Sequence, residues 1–138
     1  MAYADTDQMA VVYHANYLVW FERGRTEAMR ELGVPYAALE ARGIRLPVVE
    51  AHVRYREPAR YDDLLAVETT VADLGRARIV FEYRVRRADD AAARELVTGS
   101  TEHAFVGPDG RVCPVPDDLR ALVEPIVVRA DSRRARSG

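Results

Sequence analysis

One long helix-forming segment followed by four strand-forming segments is the feature that most limits how this chain can fold. Residues 14–32 place apolar side chains at helical spacing, and Gly33 with Pro35 ends that pattern. After Gly43 the apolar period changes from helical to twofold. A sheet built from such strands has one apolar face, and the only long apolar helix must cover it. We therefore predict an α+β fold, in which a curved antiparallel sheet wraps around one long central helix.

The predicted elements are separated by turn residues. Short helices are predicted over 35–42 and 117–123, and Gly24 inside the long helix predicts close approach of a strand or a second helix. GPDG at 107–110 predicts a hairpin turn that leads into an extended segment at 112–115. The four strand-forming segments are residues 49–55, 65–71, 77–85 and 96–106. Because the edges of such a sheet stay open, pairing of two chains through an edge strand is favoured.

Composition excludes several classes of function. The 138 residues suggest one domain, and the formal net charge of −2 gives no bulk attraction to nucleic acid or membrane. All 20 basic residues are arginine, so a Schiff-base lysine has no candidate. Cys113 is the only cysteine, and we interpret it as an apolar filler. No signal peptide and no run of about 20 apolar residues is found, so we expect a cytoplasmic protein.

Two carboxylates stand just before the long helix, in the segment ADTDQMAVVYHANY. A helix N-terminus offers unpaired backbone N–H groups and a partial positive charge. A carboxylate in the preceding loop can face a carbonyl held by those N–H groups, or it can simply cap a turn or the helix. On an extended segment Asp5 and Asp7 share a face, so Asp5 could raise the pKa of Asp7.

The motif D-T-D-x-x-A-V-V-Y-H-A-N-Y, with F-E-R-G-R-T-E in the helix and LPVVEAHVRYREPARYDDLL beyond it, resembles the 4-hydroxybenzoyl-CoA thioesterase family of hotdog-fold proteins. The bacterial acyl-CoA thioesterase branch is the nearest match, over about residues 3–123. This resemblance implies a hotdog domain at 1–123, with a tail at 124–138 that is disordered at its end. It also implies a homodimer, often a homotetramer, with the active site between subunits. Family members usually carry several more residues before the motif, which form the first strand.

The resemblance also implies a reaction and its residues. An acyl-CoA is hydrolysed to a free acid and CoA without a cofactor, Asp7 is the catalytic carboxylate, and the backbone N–H at His14 polarises the thioester carbonyl. Asp7 could attack directly to give a mixed anhydride, or act as general base on water. The His14 side chain could hydrogen-bond the thioester or anchor the loop. Tyr13, beside it, is a further catalytic candidate.

Candidates for binding the substrate are spread along the chain. Asn16 could orient water or a backbone group, and Val49 opens the first strand segment. The CoA phosphates need cations, for which turn-proximal arginines are candidates, although each could instead be a solvated strand-end side chain. These arginines are Arg60, Arg76 and Arg78. The arginines on the strand faces, Arg54, Arg56, Arg84 and Arg86, could also serve, or could pair with Glu50 and Glu82 across strands.

Alternative readings remain open at this point. A related hotdog branch uses a helix glutamate as its carboxylate, but the arginines close to Glu22 and Glu27 favour solvated or salt-bridged helix charges. His52 and His103 lie on separate strands without ligand spacing, so no metal site is supported. An acyl-carrier-protein thioesterase is the rival enzyme, and an acyl-CoA-binding hotdog without turnover is the rival that is not an enzyme.

Overall fold

The computed structural model describes residues 14–57, 65–88, 92 and 94–128, and for residues 14–17 it describes the helical backbone alone. The candidates Asp7, Tyr13 and Arg60 therefore lie outside the described residues, as do the side chains of His14 and Asn16. The described elements, in chain order, are α1 (His14–Glu31), α2 (Tyr36–Ala41), β1 (Val48–Tyr55), β2 (Leu65–Leu74), β3 (Arg78–Arg87), β4 (Glu95–Ala104), α3 (Asp117–Val123) and a 3₁₀ turn (Glu124–Ile126).

Both helices that precede the sheet end in the same way. Gly33 has φ of 88°, its N–H donates to the Arg30 carbonyl, and the Val34 N–H donates to the Met29 carbonyl. Gly43, with φ of 77°, closes α2 through the equivalent pair of bonds. This is the Schellman arrangement, in which glycine adopts the left-handed conformation without a Cβ penalty. The predicted stop at Gly33 is confirmed.

The four strands form one antiparallel sheet in the order β1-β4-β3-β2. Consecutive strands from β2 to β4 are neighbours, whereas β1 pairs with the far side of β4. Irregularities in the register occur between Val48 and Glu50 in β1 and between Val71 and Asp73 in β2. The predicted turn at 107–110 is present, but the segment predicted to be extended at 112–115 contributes only an isolated bridge between Val106 and Val112.

The core lies between the sheet and α1, which packs mainly on β2 and β3. Phe21 and Met29 of α1 are fully buried, as the helical stripe predicts, and Trp20 joins them. Leu18 stands at the same helical spacing before Phe21, yet it is 41% exposed. The strand β3 contributes alternate side chains to this core, namely Ile79, Phe81, Tyr83 and Val85. Its alternation is the one that the twofold period predicts.

The strand β1 differs from β3 although both show the same alternation in sequence. Only Val53 of β1 is half-buried, while Val48 and Tyr55 are each more than 40% exposed. The physical reason is the strand order. The strand β1 is at one edge of the sheet, whereas α1 packs mainly on β2 and β3 toward the opposite edge. Apart from Val53, which packs against the core, the apolar face of β1 is therefore left uncovered by the described part of its own chain.

The C-terminal elements close the other end of the core. Leu119 and Val123 of α3 are fully buried, and Val127 packs against the same cluster. The Val128 N–H donates to the Val71 carbonyl of β2 over 2.8 Å. Packing thus continues through residue 128, five residues beyond the predicted domain end at 123, and residues 129–138 lie outside the description. No described helix is long and apolar enough to cross a membrane.

Candidate active site

The candidate site is built around the first turn of α1. The described helix has 18 residues from His14, which lies seven residues after Asp7 in the sequence, and the first turn of a helix carries unpaired N–H groups. Its first turn contains no acidic residue that would neutralise the positive end of the helix. A carbonyl oxygen that gains negative charge is stabilised at such a position.

Close contacts with the sheet fix α1 in place. The Phe21 ring stacks on the Tyr83 ring of β3, with centroids 4.2 Å apart and planes 6° apart. Gly99 of β4 makes room for it, since a Cβ at that position would lie 2.5 Å from Phe21 Cε2. Gly24 of the helix faces the Thr69 hydroxyl of β2 so closely that a Cβ would collide with it. The predicted close approach at Gly24 is therefore confirmed.

A chain of buried polar side chains runs beneath this contact. Arg25 Nη1 lies 3.5 Å from Tyr83 Oη, Tyr83 Oη lies 2.6 Å from Thr101 Oγ1, and Thr101 Oγ1 lies 2.8 Å from His103 Nε2. This series of hydrogen bonds ends at His103, whose Nδ1 lies 2.9 Å from the Leu46 carbonyl oxygen. A carbonyl only accepts, so we assign the proton to Nδ1, and Nε2 then accepts from the Thr101 hydroxyl. It follows that Tyr83 donates to Thr101 and accepts from Arg25.

This arrangement requires a neutral imidazole. Burial lowers the pKa of His103, the hydrogen bond to Leu46 opposes that shift, and the Arg25 guanidinium acts in the same direction as burial. Burial also raises the pKa of Tyr83, which keeps its phenol protonated. From the sequence alone His103 has no predicted role, because its spacing to other residues does not fit a metal site. Thr101 and His103 stand two residues apart on an inward strand face, and that signal could have indicated a buried polar pair.

The described substrate-binding candidates are dispersed. Val49 lies on β1 and is 57% exposed, while Arg76 is exposed in the turn between β2 and β3. Arg78 begins β3, and its guanidinium lies 2.6 Å from Asp73 and 3.4 Å from Glu102. The structure thus brings Arg76 and Arg78 to one end of the sheet and Val49 to its outer strand.

The arginines on the outer sheet face are mostly paired with glutamates of the sheet. Arg84 pairs with Glu68 and Glu95, Arg86 pairs with Glu68, and Arg56 pairs with Glu95. Glu50 instead lies 3.5 Å from His52. These pairs are largely exposed, so each contributes little to stability.

The helix glutamates take the roles of surface groups. Glu27 Oε1 accepts from Arg30 over 2.7 Å, and both side chains are more than half exposed. Glu22 is exposed, and its backbone carbonyl accepts from the Thr26 hydroxyl. Within the part of the chain that the structure describes, no three His, Cys, Asp or Glu side chains are grouped so that they could hold a metal ion.

One pocket of about 600 Å³ lies beside α1, between that helix, α2 and the segment that leads into β1. Arg25 and Tyr36 are among its lining residues, together with apolar side chains including Ile44, Leu46 and Val106. We call it the Arg25 pocket. A second pocket of about 490 Å³ lies on the outer sheet face and is lined mainly by polar and charged residues.

Comparison with known proteins gives consistent matches. The family model of the thioesterase-like superfamily matches residues 2–123. The Bacillus subtilis protein YneP is 42% identical over 83 residues, which are 60% of this chain and 60% of YneP. The acyl-CoA thioester hydrolase YbgC of Escherichia coli O6:H1 is 37% identical over 93 residues, 67% of this chain and 69% of YbgC. The crystal structure of the Thermus thermophilus protein TT1821 superposes with a TM-score of 0.81 at 35% identity, covering 91% of this chain and 94% of TT1821.

Proposed function

The chain belongs to the thioesterase-like superfamily and is an enzyme of the thioesterase class, and we propose that it hydrolyses an acyl-CoA thioester to a free acid and CoA. One observation carries the proposal: α1 begins at His14, seven residues after Asp7, and is fixed on the sheet through Phe21. It supports the proposal because the unpaired N–H groups at a helix start can hold the carbonyl oxygen of a thioester, and Asp7 is close to that start in sequence. The name of its relative YbgC, acyl-CoA thioester hydrolase, supports the substrate class.

In the proposed reaction the thioester carbonyl oxygen accepts from the backbone N–H at the start of α1. Charge that develops on this oxygen during attack meets the positive end of the helix. Asp7 then acts either as general base on water or as nucleophile, giving a mixed anhydride that water hydrolyses. In both cases the C–S bond breaks, and the CoA thiol leaves after taking up a proton. His14 and Tyr13 are proposed to hold the loop and the thioester, and Asn16 to orient the water.

The phosphates of CoA are proposed to bind exposed arginines. Arg78 is a weaker candidate than Arg76, because two carboxylates already compensate its charge. No ion pair of Arg76 is found among the described residues, so its guanidinium fork is available for a phosphate. Arg60 remains a prediction for the same role. No cofactor enters this reaction, and a cytoplasmic location stays an expectation.

We further propose a homodimer that pairs two β1 strands, with the active site between subunits. The support is the uncovered apolar face of β1, its exposed Val48 and Val49, and its free edge within the described sheet. A long unpaired edge of this kind readily pairs with a second chain. Leu18 and Val19 of α1 are also about 40% exposed and would extend the apolar contact. Val49 would then form part of a wall shared by both subunits.

The test measures free thiol released from a panel of aliphatic and aromatic acyl-CoAs. Asp7→Asn is expected to lower kcat by about 10²- to 10⁴-fold, the range for a lost general base. Asp5→Asn is the matched control, and its loss is expected to stay below about tenfold. Circular dichroism checks that both variants fold.

Each alternative predicts a different result. Near-normal activity of Asp7→Asn would overturn the catalytic assignment. A salt-sensitive preference for acyl-carrier protein over CoA would favour the rival enzyme. Acyl-CoA binding without any thiol release would favour the binding protein instead.

A further inference from the structure

The Arg25 pocket contains a cation for which the described residues supply no ion-pair partner. Arg25 is half-buried on α1, and among the described residues no carboxylate lies within ion-pair distance of its guanidinium. A guanidinium carries five N–H donors, and the phenols of Tyr83, at 3.5 Å, and Tyr36 engage at most two of them. A charge taken out of water without a partner is costly, so this position suits an anion that arrives with a ligand.

Two neutral phenols, those of Tyr36 and Tyr83, lie beside Arg25. Burial raises the pKa of Tyr36 to about 12, although the nearby Arg25 opposes that shift. The Tyr36 hydroxyl is buried and makes no hydrogen bond of good geometry in the described structure. The phenol of Tyr83 likewise stays protonated because its pKa is raised. Neither phenol can therefore neutralise the guanidinium, but Tyr36 offers an additional donor beside it.

The remaining charges of the pocket lie at its rim. Glu22, Glu40 and Arg45 all line it, and all three are exposed to solvent. Their charges are screened by water, whereas the half-buried charge of Arg25 is screened less. Between the rim and Arg25 the walls are mainly apolar, from Ile44, Leu46, Pro47 and Val106. This combination fits a hydrocarbon chain with one negative group at its end.

We propose that the Arg25 pocket receives the far end of the acyl group, and that Arg25 selects acyl-CoAs whose acyl chain ends in a carboxylate. The inference rests on the proposed function, since the opposite end of the acyl group is the thioester held at the start of α1. Arg25 is a specificity-determining residue in this scheme and takes no part in bond breaking. A carboxylate accepts two parallel N–H bonds from the guanidinium fork, which adds geometric selection to charge.

The spacing of His14 and Arg25 along α1 also predicts the length of the acyl chain. Eleven residues separate His14 from Arg25, which is close to three full turns, so both lie on one stripe of α1 about 16 Å apart along its axis. Side chains tilt toward the helix N-terminus, which brings the guanidinium closer to the start of α1. An extended chain advances about 3.6 Å for every three bonds, so roughly 10–14 Å corresponds to about 8–12 carbons. We therefore expect monothioesters of dicarboxylic acids of that length.

The experiment compares kcat/KM for carboxyl-terminated and neutral acyl-CoAs of equal length, using suberoyl- against octanoyl-CoA and sebacoyl- against decanoyl-CoA. The wild type is expected to prefer the carboxylated member of each pair. Arg25→Met is expected to lower the ratio of the two kcat/KM values by about 10- to 100-fold, the range for a hydrogen bond to a charged group. Arg25→Lys keeps the charge without the fork and should restore part of the ratio. Arg30→Met, on the same helix but paired with Glu27, should leave the ratio unchanged.

Binding supplies a readout that needs no turnover. Non-hydrolysable thioether analogues of CoA with ω-carboxyalkyl chains are titrated calorimetrically against the full-length protein. Arg25→Met is expected to weaken the carboxylated analogue more than the neutral one.

The outcomes separate the two proposals. Hydrolysis with equal rates on both members of each pair, or a preference for hydroxylated aromatic acyl-CoAs, would overturn the inference alone. No thiol release from any acyl-CoA would overturn the proposed function. In that case equal binding of both thioether analogues would overturn the inference as well, and tighter binding of the carboxylated one would support it.

Discussion

Phe21 of α1 lies flat on Tyr83 of β3, with ring centroids 4.2 Å apart, and Gly99 of the neighbouring strand leaves the space that the Phe21 ring occupies. Helix and sheet approach closely here because one position in the contact has no side chain. The same Tyr83 hydroxyl begins the buried hydrogen bonds that lead to His103. Tyr83 therefore belongs both to the contact between helix and sheet and to the buried hydrogen bonds.

Gly99→Ala should disturb the packing of Phe21 against the sheet. The new Cβ would lie 2.5 Å from Phe21 Cε2 and 2.8 Å from the His52 carbonyl oxygen, so either the ring or the strand must move. We expect a loss of about 1–3 kcal/mol in the free energy of unfolding, as for other overpacked cores, measured by denaturant titration. Gly75→Ala is the control, because its Cβ meets only the flexible side chain of Arg78. Equal stability of Gly99→Ala and wild type would show that the contact is loose.

His103 should make stability depend on pH. Its folded pKa is lowered by burial, so the unfolded state binds more protons as the pH falls below the ordinary value near 6.5. The stabilisation is complete above that value and is lost as the pH falls toward the lowered folded pKa. His103→Asn, which keeps a donor for the Leu46 carbonyl, should show a smaller loss of unfolding free energy between about pH 7 and pH 5. His52→Gln, at an exposed position, should follow the wild type; a wild-type slope in His103→Asn would contradict the assignment.

Val48→Glu should weaken the proposed dimer. Val48 is 46% exposed at the start of the edge strand β1, and a carboxylate there would have to lose its water when two β1 strands pair. Analytical ultracentrifugation is expected to give at least twice the 15.5 kDa chain mass for the wild type and a smaller assembly or the single chain mass for the variant. Val112→Glu is the control, since Val112 is 65% exposed and lies outside β1. A wild type that sediments as a monomer would exclude this dimer.

Local patterns were sufficient to predict the main helix and the four strands of an α+β fold, and the motif resemblance implied the hotdog fold, which the family and structural matches confirm. The stop at Gly33 and the alternation of β3 each depend on a few neighbouring residues, so they can be read from sequence. The exposure of β1 could not be predicted, because it depends on strand order and on which strands α1 covers. In the same way, the sequence could not show that, among the described residues, no carboxylate would pair with Arg25. The roles of Asp7, Tyr13 and Arg60 remain predictions.

His14, at the start of α1, lies seven residues before Phe21, which is about 10 Å along the helix axis. If α1 tilts by about 6° about the contact between Phe21 and Tyr83, its N-terminus moves by roughly 1 Å. A misplacement of that size can cost about 100-fold in rate. Substitutions at buried positions of the sheet could thus lower the rate of hydrolysis while every reacting group is unchanged.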